Sequence, residues 1–109
     1  MRKTYIGELE EIILLMVVLL QEEAYGVAIT QEIETQLKRK ISISAVHTTL
    51  HRLSEKGYVS SFMGGATNER GGRRKRYFKI TTAGANILQE IQEVRTHLWN
   101  QLPPQAMAT

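Results

Sequence analysis

Apolar residues recur at helical spacing in four segments of this chain and alternate at strand spacing in two short ones. From Glu8 to Glu22, Leu9, Ile12, Ile13, Met16, Val17 and Leu20 share one helical face. Leu14, Leu15, Val18 and Leu19 fill most of the rest. A helix apolar nearly all round is buried on more than one side. Either it is enclosed in a core, or its second face meets a partner subunit. A three-helix domain this small offers a core to one face only, which favours the partner. After a break at Ala24-Tyr25-Gly26, a second helix is expected from about Val27 to Leu37, with Val27, Ile29 (or Ala28), Ile33 and Leu37 inward.

Ile41-Ser42-Ile43 alternates as a very short strand would. Ser44 then fits the N-cap of a third helix, with Val46, Leu50 and Leu53 inward and Gly57 as its terminating glycine. Ser44, His47, Thr48, His51 and Arg52 are left on or near its outer face. Tyr58 to Met63 and Arg74 to Ile80 read as two strands, joined by GGATNERGG, a glycine-rich tip of a wing. In the second strand Phe78 and Ile80 point one way, Tyr77 and Lys79 the other. Thr81 fits the cap of a last helix from about Thr82 to Leu102, stopped by Pro103-Pro104 and followed by a frayed tail. Its fourth position is Gly84, where a full capping box has Glu. Ile87, Ile91, Val94 and Leu98 step by four, three and four, as in a coiled-coil seam, and Leu88, Trp99 and Leu102 widen the stripe. Such a helix is ~30 Å long, more than a small domain needs to cover its own core, so projection into a partner is expected.

The predicted fold is therefore mainly α with a small β-hairpin: a winged helix-turn-helix over residues 1–81 and a dimerisation helix with a short tail over 82–109. With 109 residues and no cysteine, one domain is expected, without disulfides or Cys-ligated zinc, and a reducing cytoplasm fits. The longest apolar run, Ile12 to Leu20, has nine residues. A membrane span needs ~20. No membrane partner and no signal peptide are expected.

Charge sharpens the picture through its distribution. The net charge is only +3, yet six of the ten residues from Arg70 to Lys79 are Lys or Arg, including the unbroken run Arg73, Arg74, Lys75 and Arg76. Clustered cations on a hairpin are the footprint of a phosphate-binding surface. A helix with exposed hydrogen-bonding groups beside them suits the major groove of duplex DNA. The DNA-contacting set is then Ser44, His47, Thr48, His51, Arg52, Arg73, Arg74, Lys75, Arg76 and Tyr77. Lys38, Arg39 and Lys40 complement the end of the second helix. His47 and His51 stand four apart, a metal-ligand spacing, but no third ligand or HExxH glutamate accompanies them, so no metal is expected. The serines lack a base and an orienting acid, so neither catalysis nor a cofactor is expected. No aromatic platform for RNA stands out on an exposed sheet.

The pieces Tyr25-Gly26, Leu50-His51-Arg52-Leu53 with Lys56-Gly57, Gly72-Arg73-Arg74-Lys75-Arg76-Tyr77, and Ile80-Thr81 with Gly84 give the chain its resemblance to the PadR family of bacterial transcriptional regulators, from Glu8 to about Leu102. The single C-terminal helix resembles its short subfamily. The resemblance implies a third helix in the major groove, a wing on adjacent backbone, and a homodimeric repressor built through the first and last helices. A small apolar or aromatic effector between subunits is also implied. Leu15, Val18, Leu19, Ile87, Ile91, Val94, Leu98 and Trp99 are the dimer and effector residues. Many members carry Tyr-Pro in the third helix where this chain has His47-Thr48. The rival expectation is a winged-helix module that binds another protein, with DNA affinity incidental.

Overall fold

The computed structural model describes residues 6–64 and 74–108. In order they form α1 (Glu8–Leu20), a 3-10 turn (Gln21–Glu23), α2 (Gly26–Leu37), α3 (Ile43–Glu55), β1 (Val59–Gly64), β2 (Lys75–Ile80), α4 (Thr82–Trp99) and a one-turn α5 (Pro104–Met107). The first three helices pack on one another, and the hairpin closes the core from the side. Ile13, Leu14, Met16 and Val17 of α1 meet Ile29 and Ile33 of α2 and Val46, Leu50 and Leu53 of α3, with Val59, Phe78 and Ile87 completing the cluster. Full burial of each large aliphatic side chain contributes roughly 1.5–3 kcal/mol. Among the described residues no helix is long and apolar enough to cross a membrane.

The hairpin is antiparallel, with Val59 opposite Ile80 and Met63 opposite Arg76. It also continues onto the segment between α1 and α2. The Phe78 N–H donates to Ala24 O at 2.9 Å, and Tyr25 bridges Tyr77. This pairing covers part of the outer edge of β2 and fastens the wing to the helical core.

At the end of α3 the Tyr58 N–H donates to Leu53 O at 2.9 Å and the Gly57 N–H to Ser54 O at 3.0 Å. Gly57 has φ +81°, the left-handed conformation that a side chain resists. The arrangement is a Schellman stop, and it turns the chain directly into β1. Thr81 then joins three elements. Its hydroxyl donates to Gly57 O at 2.7 Å and accepts from the Gly84 N–H at 3.0 Å, capping α4. A Cβ on Gly84 would stand 2.2 Å from Tyr58 O. Close approach of α4 to the α3–β1 turn therefore requires glycine where a capping box would carry Glu.

Several expectations are corrected. No strand forms at Ile41–Ile43, and the N-cap of α3 is Ser42, whose hydroxyl accepts from the Ala45 N–H at 3.1 Å, rather than Ser44. Ile41 packs against the core while Ile43 is exposed in the first helical turn, so their alternation reflects helix entry. In α2 the inward residues are Gly26, Ile29 and Ile33, and Val27 is exposed. Val27 stands two positions before Ile29, about 200° round the helix, so the two cannot share the buried face. Leu37, at the far end, is more than a third exposed. The last helix ends at Trp99, and the tail after Pro103 forms the turn α5.

The acidic start of α1 is a tertiary anchor. Glu10 Oε1 accepts the Gly7 N–H at 2.8 Å, and Lys56 Nζ reaches the Glu10 oxygens at 2.9 and 3.1 Å. Arg95 donates to Glu11 at 2.9 Å, tying α4 to α1. Burial pushes the Glu10 carboxyl up, but the Gly7 and Lys56 hydrogen bonds and the charges of Lys56 and Arg52 outweigh it. The carboxyl is held below its ordinary value of 4.5.

Two outcomes are expected. Gly84→Ala forces α4 off the Tyr58 carbonyl and lowers unfolding stability by about 3 kcal/mol, read from urea midpoints. A variant as stable as the wild type would contradict that contact. Glu10 is more acidic in the folded chain, so its contribution is complete above the unfolded value and is lost as pH falls through the folded one. The stability gap between the wild type and Glu10→Gln should be full at pH 7 and shrink below about pH 4.5. A gap independent of pH would exclude the ion pair as its cause.

Candidate nucleic-acid interface

Burial of Val46, Leu50 and Leu53 fixes the rotation of α3 and leaves His47, Thr48, His51 and Arg52 exposed on its other side, with Ser44 exposed in the first turn. His47 leans over the start of α2: a Cβ on Gly26 would stand 2.7 Å from its ring. Gly26 thus lets α3 cross α2 closely, and Thr30 returns its hydroxyl to Gly26 O at 2.8 Å. His51 Nε2 stands 3.3 Å from Glu55 Oε2, one helical turn away. Among the described residues no three His, Asp or Glu side chains converge as a metal site.

The strand pleat divides the basic run. Arg73 lies outside the described residues, as does the loop over residues 65–73. Arg74 is exposed just before β2. Lys75 and Arg76 then point to opposite faces of the hairpin. Lys75 Nζ lies 4.4 Å from the centre of the Tyr25 ring, a cation–π contact. Tyr77, on the same face, is half-buried between Tyr25, edge-on at 5.5 Å, and Phe62, stacked at 5.8 Å. Its ring is engaged in holding the wing to the α1–α2 connection.

Arg76 turns the other way, toward α3. It donates to Ser61 Oγ at 3.0 Å. Together Arg76, Ser61 and Phe78 form one wall of a polar cleft of about 410 Å³, and His47, His51 and Ser54 form the other. Ser54 and Ser61 were not singled out by the sequence. The register could have found Ser61, since it lies opposite the inward-facing Phe78.

A second surface is apolar. On α1, Leu15, Val18 and Leu19 are exposed, Leu19 by 54%. On α4, Ile87 is buried in the chain's own core and Ile91 is half-buried against it. Val94, Leu98 and Trp99 are open to solvent, the last two by 58% and 67%. The proximal turns of α4 therefore complete the domain, and its outer half projects from it.

The model of the transcriptional regulator PadR-like family matches residues 14–90. An uncharacterized protein of Lysinibacillus sphaericus is 31% identical over 87 residues, which is 78% of this chain and 75% of the relative. The structure of a PadR-like transcription factor from Bacteroides fragilis superposes with a TM-score of 0.70 at 25% identity, covering 86% of this chain and 85% of that one. Bacillus subtilis PadR, solved in complex with operator DNA, superposes with a TM-score of 0.63 at 19% identity, over 78% of this chain and 46% of its own.

Proposed function

Because the chain belongs to the transcriptional regulator PadR-like family, a family of regulators rather than enzymes, we propose that it is a homodimeric repressor. It binds a pseudo-palindromic operator through α3 and the wing. The observation that carries this reading is the juxtaposition of α3's exposed polar face with the cationic strand of the hairpin across one cleft. His47, Thr48, His51 and Arg52 offer the hydrogen-bonding groups that read base edges in the major groove. Arg74 and Arg76 supply cations for the flanking backbone, joined by Arg73 from outside the described residues. The shared fold with a PadR that was solved on operator DNA supports the same assignment.

Dimerisation is supported by the two exposed apolar faces. Leu15, Val18 and Leu19 on α1 and Val94, Leu98 and Trp99 on α4 leave large side chains in water in the single chain. Pairing the outer half of α4 with a partner's α1 removes both from solvent. Two-fold symmetry then sets half-sites about one helical turn apart or a multiple of it. An apolar or aromatic effector would stack on Trp99 at that junction and bias the spacing of the two α3 helices.

Two measurements test the proposal. In fluorescence anisotropy, a duplex from upstream of the protein's own gene should bind about 10³-fold or more tightly than its scrambled counterpart, with affinity falling steeply as salt rises. Equal affinity for both duplexes would contradict sequence-specific regulation and favour the protein-interaction module. By size exclusion with light scattering, the wild type should run as a dimer and the double variant Leu19→Glu, Leu98→Glu as a monomer of unchanged helix content. A monomeric wild type would overturn the assigned interface.

A further inference from the structure

We propose that each chain carries a ligand seat beneath the wing, where the end of α1 meets the hairpin. It takes a neutral aromatic molecule bearing one polar group. The seat is separate from Trp99 and from the cleft beside α3, and only its coupling to that cleft rests on the DNA-binding reading.

The hairpin leaves a cavity of about 330 Å³ against the last turn of α1. Its apolar sides come from Val18 on the helix and from Phe62, Phe78 and Ile80 on the strands. Small-molecule sites have this size and this mostly apolar lining, with a few placed polar groups. Two phenylalanine rings from different strands suit a flat ring, since aromatic pairs gain energy beyond the area they bury. Val18 also belongs to the surface proposed for dimerisation, so the seat borders that surface.

Gln21 supplies an amide to the lining, and its backbone singles it out. It has φ +54° and ψ −116°, a conformation that glycine adopts freely and a side chain resists. Lys38, the other described non-glycine residue with positive φ, has ψ +36° and closes α2 in the left-handed form. That form is common at helix ends, so it accounts for Lys38 and not for Gln21. Backbone strain of this kind gathers at ligand clamps, and here it fixes an amide beside two aromatic rings.

The charges choose the ligand. Lys79 and Glu22 also line the cavity, one of each sign, and neither makes an ion pair among the described residues. An ion of either sign is drawn to one and repelled by the other. A neutral aromatic with one hydrogen-bonding group meets the lining without that conflict. Phe78 then links the seat to DNA. It lines this cavity and also the cleft formed by His47, His51 and Arg76. Its N–H donates to Ala24 O at 2.9 Å, just beyond the Gln21 turn. A ligand under the wing thus bears on the residue that sets the hairpin against the core.

The test titrates the full chain with indole and follows methyl and amide NMR signals. Indole should bind with a submillimolar dissociation constant and shift Val17, Val18 and Ile80 most. Gln21→Gly relieves the positive φ and so keeps the fold, but it should weaken indole about fivefold, the worth of one hydrogen bond. Phe62→Leu should weaken it severalfold, and Trp99→Ala should leave it unchanged, with thermal melts confirming that each variant folds. Tryptamine and indole-3-acetate, its charged analogues, should bind more weakly. Shifts confined to Val94, Leu98 and Trp99, or tighter binding of either charged analogue, would overturn the seat. Saturating indole should change affinity for the upstream duplex by about threefold or more. An unchanged affinity would overturn the coupling through Phe78. Failure of the wild type to bind the duplex would sink the DNA-binding reading alone, and the NMR shifts would still decide the seat.

Discussion

The hydrogen bond from the Phe78 N–H to Ala24 O, with the Tyr25–Tyr77 bridge beside it, joins a two-stranded hairpin to the helical core. An isolated hairpin is marginally stable in water. Here β2 has a partner on both edges near its base, the aromatic rings of Tyr25, Tyr77 and Phe62 pack together over one face, and Phe78 enters the core on the other. Those contacts fix the distance between Arg76 and α3, and hence the width of the cleft. Without them the basic strand would be a charged ribbon with no defined relation to the helix beside it.

The remaining contacts keep α3 in the same frame. Gly26 admits the His47 ring, so α2 and α3 cross closely. Gly57 turns α3 into β1, and Thr81 and Gly84 lock the start of α4 against that turn. The Lys56–Glu10 pair binds the same turn back to α1. Since α1 also carries the exposed Leu15, Val18 and Leu19, the surface proposed for dimerisation and the end of the proposed DNA-reading helix are joined through one helix and one ion pair.

Much of this was legible in the sequence because helical periodicity and glycine placement are local signals. The four helices, the hairpin and the Thr81 cap follow from them, and the fold matches that of PadR-type regulators. Residues misread were those whose roles depend on contacts distant in sequence. Ile41-Ser42-Ile43 alternates like a strand, but no neighbouring strand pairs with it, and Ser42 caps a helix instead. Val27 is apolar yet faces solvent, because Gly26 occupies the crossing point with α3. Glu10 and Glu11 stand in the first turn of α1, and no local pattern points to their partners Lys56 and Arg95, 46 and 84 residues away. The basic run reads as one unit, and only the register with β1 and the bridge to Tyr25 divides it between two faces.

The central claim is that α3 and one face of the hairpin act together on duplex DNA, held in a fixed relation by the core. Amide NMR spectra recorded during titration with the upstream duplex test this most directly. The account predicts that the largest perturbations fall on both walls of the cleft, from Ser44 to Ser54 on α3 and around Ser61 and Arg76 on the hairpin, while the buried faces of α1 and α2 are undisturbed. Perturbations confined to the apolar surfaces of α1 and α4, with the cleft silent, would contradict it.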